Sequence, residues 1–67
     1  MITETKLAQA MRHVAEARRI VARQRQLIAS QKQAGGDTAL SEGLLAQFER
    51  SLAIFESDLR AIQKDQE

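Results

Sequence analysis

Cysteine, proline, tryptophan and tyrosine are absent from this 67-residue chain, and Phe48 and Phe55 are its only aromatic residues. Without cysteine there are no disulfide staples and no thiolate metal sites. Without proline nothing in the sequence forces a break in a long helix. A chain that is 43% hydrophobic but only 3% aromatic therefore points to uninterrupted aliphatic helices. Long apolar runs are missing too. The longest, Leu52 to Phe55, is four residues, too short for a transmembrane helix or a signal-peptide core, so the expected location is the cytoplasm. A chain of this size rarely gathers more than about 3–5 kcal/mol from one core, which leaves room for a single domain over residues 1–67, excludes a multi-domain enzyme and favours a fold that leans on a partner.

The net charge of +1 conceals a division. Residues 1–34 carry seven basic groups, Lys6, Arg12, Arg18, Arg19, Arg23, Arg25 and Lys32, against Glu4 and Glu16, a balance of +5. Residues 35–67 carry Arg50, Arg60 and Lys64 against seven acids, Asp37, Glu42, Glu49, Glu56, Asp58, Asp65 and Glu67, a balance of −4. Such asymmetry marks either a basic surface for nucleic acid or two segments that attract each other.

The strongest punctuation is Gly35-Gly36-Asp37-Thr38. Glycine adopts the left-handed conformation that ends a helix, and Asp37 or Thr38 can cap the next one by accepting from a first-turn amide. The sequence thus predicts an all-α helical hairpin, with helices over about 5–34 and 38–64 and a turn at 35–37. Thr3 or Thr5 would cap the first helix. Gly43 is a helix-interior glycine on the solvent side, costing about 1 kcal/mol relative to alanine.

In the second segment Leu45, Phe48, Leu52, Phe55, Leu59 and Ile62 are spaced three and four apart, a heptad seam along one helix face. The first segment repeats the logic. Leu7, Val14, Val21 and Ile28 fill one heptad position, and Ala10, Ala17, Gln24 and Gln31 fill its partner. Folding the chain back at Asp37 sets Ile28 against Leu45, Val21 against Leu52 and Val14 against Leu59, with Ala17 facing Phe55 and Ala10 facing Ile62. Small residues then meet large ones, as interdigitating helices require. The same fold brings Lys32 to Glu42, Arg25 to Glu49 and Arg18 to Glu56. Exposed pairs of this kind are worth only about 0.2–1 kcal/mol each, so they select the register more than they stabilise it.

Ile20, Leu27, Leu40 and Leu44 lie beside the seam and would stay partly exposed in a lone hairpin. The economical solution is a homodimer of hairpins in which these four residues form the interface of an antiparallel four-helix bundle about 40 Å long.

The string His13-Val14-Ala15-Glu16, then Arg19-Ile20, Gln24-Arg25 and Ile28, then Asp37-Thr38, Leu44-Leu45, Phe48-Glu49 and Leu52, resembles a group of short uncharacterised alphaproteobacterial proteins. The resemblance covers most of the chain but consists of seam and turn residues, so it implies a helical hairpin and no activity. Members of that group often carry a larger residue between Gly35 and Asp37, where this chain has Gly36, which loosens the turn and leaves the topology intact.

No catalytic or metal-binding constellation emerges, and no cofactor is expected. His13 and Glu16 give His-x-x-Glu, the reverse of the motif in di-iron bundles, and the further inward glutamates those sites need are missing. Ser30, Ser41, Ser51 and Ser57 lack a histidine and an acid arranged around a pocket. Gln24 and Gln31, at seam positions, are read as setting register and oligomeric state. The best functional lead is the line Arg12, Arg19 and Arg23 on the outer face of the first helix. Doubled in a dimer, it would form a basic strip able to follow phosphates, and length, hairpin shape and dimer together resemble the RNA-binding hairpin dimer ROP in outline, without sequence correspondence. Against this, both phenylalanines belong to the core, leaving no ring for base stacking, and Glu16 interrupts the line. A membrane-surface role is weaker still, because the apolar face is committed to packing. The expected function is therefore that of a non-enzymatic, self-associating interaction or structural module, with an RNA- or DNA-binding regulator as the alternative.

Overall fold

The computed structural model describes residues 3–66. Two helices, α1 (Lys6–Gln33) and α2 (Ala39–Asp65), fold back on one another as a hairpin, and no strand occurs among the described residues. The helix ends lie within a residue of those expected from the sequence.

Each boundary has a local chemical cause. Of the two threonines able to cap α1, Thr5 does so, its Oγ1 accepting from the Ala8 amide at 3.0 Å. At the far end Gly35 takes φ +75°. Its amide donates to the Lys32 carbonyl at 3.0 Å and the Gly36 amide donates to the Gln31 carbonyl at 2.9 Å. This paired closure satisfies carbonyls that a helix end otherwise leaves open, and it requires the left-handed glycine. Of the two candidates at the start of α2, Asp37 provides the side-chain bond, its Oδ1 accepting from the Ala39 amide at 2.9 Å, while Thr38 contributes no side-chain cap.

Packing follows the heptads. The buried residues of α1 are Ala10, Val14, Ala17, Val21, Gln24 and Ile28, all at the expected seam positions. On α2 the seam residues Leu45, Phe48, Leu52, Phe55, Leu59 and Ile62 are only half-buried, and the one buried residue is Ser41, seven before Phe48 on the same stripe. The asymmetry has a steric origin. Alanine and valine sit low on α1 and are roofed over by the larger side chains of α2, whereas those side chains have nothing above them. No side chain among the described residues is completely enclosed.

The result is a rod of 49 × 25 × 14 Å. Its radius of gyration, 15.6 Å, exceeds the value of about 11 Å for a compact domain of this length. Its accessible surface, 5380 Å², exceeds the roughly 4,200 Å² of a compact monomer of this mass.

Candidate interaction surface

With seam residues labelled a and d, helical geometry places position e on one side of the seam and position g on the other, so an antiparallel hairpin has an e face and a g face. The two faces are chemically unlike.

On the e face, Arg18 meets Glu56 at 3.2 Å, Arg25 meets Glu49 at 3.1 Å and Lys32 meets Glu42 at 3.7 Å. All three pairs join α1 to α2 in the register read from the sequence. A helical side chain leans toward the N-terminus of its own helix, so antiparallel partners reach toward each other across the seam. This face is closed by charge. Among the described residues its only exposed large apolar side chain is Met11.

The g face carries Lys6, His13, Ile20 and Leu27 from α1, and Leu44, Ser51, Asp58 and Asp65 from α2. Ile20 and Leu27 are each 46% exposed and Leu44 is 39% exposed. Leu40 and Ile54, at the flanking c position of α2, are 81% and 61% exposed. Five of the six exposed large hydrophobic residues among those described thus lie on one side of the hairpin. Ile20, Leu27, Leu40 and Leu44 were anticipated. Ile54 was not, because c positions lie outside the apolar stripe of the seam.

Two open grooves run along the g face. The one toward the chain termini is lined by Lys6, Gln9, Ala10, His13, Phe55, Asp58, Ala61 and Ile62, and its neighbour toward the turn by His13, Glu16, Ala17, Ile20, Phe48, Ser51 and Phe55. Ala10 and Ile62 both line the first groove, and Ala17 and Phe55 both line the second. Between the grooves the rings of His13 and Phe55 lie 5.2 Å apart at 43°. His13, expected at the flank of the stripe, is half-buried against an aromatic ring. Among the described residues no group of three or more His, Cys, Asp or Glu side chains comes together, and no helix is long and apolar enough to cross a membrane.

The seam glutamines differ. Gln24 is buried, and its Nε2 donates to the Ser41 carbonyl of α2 at 2.8 Å. Gln31 keeps a buried Oε1 with no hydrogen-bond partner.

The arginine line is also divided. Arg12 donates from Nη2 and Nε to the two carboxylate oxygens of Glu4, at 2.8 and 3.1 Å, and from Nη1 to Glu16 at 3.3 Å. The bond to Arg12 holds the Glu4 carboxyl below its ordinary range, and the two carboxylates raise the Arg12 pKa in turn. Arg19 and Arg23 are exposed and form no ion pair among the described residues. A strip meant to follow phosphates has one of its three cations engaged by two local carboxylates, which weakens the nucleic-acid reading. The Glu4–Arg12 pair had no signal in helical spacing, because Glu4 lies outside α1.

No family model, no curated protein sequence and no solved structure matches this chain.

Proposed function

We propose that this protein is a self-associating helical hairpin, acting as an interaction or structural module in which two copies stack their g faces into a four-helix bundle. The observation that carries this reading is the contrast between the faces. Three ion pairs join the helices on one side. On the other, Ile20, Leu27, Leu40, Leu44 and Ile54 stand exposed.

Magnitudes favour a second copy. The broad side of the rod measures 49 by 25 Å, about 1,200 Å², against the roughly 800 Å² that each partner buries in a standard interface. The surface in excess of a compact monomer is roughly 1,200 Å², similar in size to what such stacking would cover. A lone two-helix hairpin of this length buries little surface and is marginal, whereas stacking supplies a further layer over Phe48, Phe55 and Leu44. The function then lies in the assembly and its outer surface, and requires no catalytic group.

The test is the melting of the helical circular dichroism signal across a hundredfold range of chain concentration. A dimer that folds as it associates melts at higher temperature as concentration rises. I20E/L27E, which places carboxylates on the apolar face, should lower the melting temperature and abolish the dependence. A cooperative melt of the unaltered chain that is independent of concentration would refute the proposal.

A further inference from the structure

The g face is polar at one end and apolar at the other, and that gradient specifies how two copies stack. Toward the chain termini it presents Lys6, His13 and Asp58, which share one groove. Toward the turn it presents Ile20, Leu27, Leu44 and Leu40, all exposed.

Two symmetric stacks of g face on g face are available. In one, the two-fold axis runs along the bundle, both turns lie at the same end, and α1 packs over the partner's α2. In the other, the axis crosses the bundle, the turns lie at opposite ends, and each helix packs over its own copy. All neighbouring helices are antiparallel in both, so helix dipoles do not discriminate. Side-chain chemistry does. With turns at opposite ends, overlap of the full helices sets Leu27 level with the partner's His13 and Leu44 level with the partner's Asp58, burying aliphatic side chains against polar ones and leaving the Asp58 carboxylate desolvated without a partner.

We infer that the two copies stack with their turns at the same end. Resting on the self-association proposed above, this arrangement sets each g residue of α1 at the height of a g residue of the partner's α2. Leu27 meets the partner's Leu44 near the turn. Farther along, Lys6 and His13 meet the partner's Asp58 and Asp65. Apolar covers apolar, and the Lys6 ammonium of α1 meets the acidic end of α2. Charges matched in this way fix the arrangement more than they add affinity.

The test uses the full chain bearing a nitroxide at one of two exposed outer positions, Gln33→Cys near the turn or Lys64→Cys near the other end, with the spacing between copies read by pulsed dipolar spectroscopy. Turns at the same end give distances of about 25 Å at both positions, set by the bundle diagonal and the label arms. Turns at opposite ends separate the labels by the length of a helix, about 40 Å or more at both. The longer distances, in a particle of dimer mass, would overturn this inference and leave self-association standing. Absence of any spacing between copies, with the mass of a single chain, would overturn both. The two positions lie at opposite ends of the rod, so either labelled variant alone decides the question.

Discussion

Gln24 and Ser41 are joined across the seam by a hydrogen bond from a buried side-chain amide to a backbone carbonyl, 2.8 Å long. It ties the C-terminal half of α1 to the first turn of α2. Aliphatic seam residues tolerate sliding, because any apolar neighbour serves them, whereas an amide is satisfied only where its acceptor lies.

Gln24 and Gln31 should therefore respond oppositely to apolar substitution. Q24A removes an interhelical bond and should cost about 1 kcal/mol in chemical denaturation. Q31L replaces a side chain whose buried Oε1 has no partner with an apolar one of similar size, and should stabilise the fold by up to about 1 kcal/mol. Equal effects of one sign would show that the glutamines are energetically interchangeable.

The glycines offer a second contrast. A Cβ at Gly43 meets nothing within 4 Å, so G43A should stabilise α2 by about 0.5–1 kcal/mol through backbone entropy alone. A Cβ at Gly35 also meets nothing, but φ there is +75°, so G35A should destabilise by about 1–2 kcal/mol from backbone strain in the closing turn. Thermal melts of the two variants should move in opposite directions.

The seam and its register were legible because both depend on spacing. Three- and four-residue intervals located every buried position of α1, and the regular placement of Arg18, Arg25 and Lys32 against Glu56, Glu49 and Glu42 fixed which layers meet. What spacing does not encode is depth and direction. Ser41 occupies the right heptad position for burial, but a search for apolar residues passes over a serine. The choice of Thr5 over Thr3, and of Asp37 over Thr38, depends on backbone angles at the caps. The contact of His13 with Phe55 depends on how far a ring overhangs a helix pair of unequal side-chain sizes. The four flanking residues of the apolar face were legible, and Ile54 lay too far round α2 to be counted with them.

Glu4 supplies a test of the local electrostatics. Its carboxyl is held below the ordinary glutamate value, 4.5, first by the hydrogen bond from Arg12. A carboxyl depressed in the folded state contributes stability that is fully present above its unfolded value and is lost as pH falls through its folded one. Carboxyl chemical shifts followed by NMR from pH 7 downward should thus show Glu4 titrating at lower pH than it does in R12Q, where the midpoint should move up toward 4.5. Identical midpoints in the two proteins would show that the pair does not form in solution.

The mass of the full chain at micromolar concentration, measured by sedimentation equilibrium beside I20E/L27E, tests the central claim most directly. If the g face is covered by a second copy, the chain sediments at twice its 7.5 kDa and the variant at that single-chain mass with reduced helicity. A helical, cooperatively folded particle of 7.5 kDa for the unaltered chain would contradict the account.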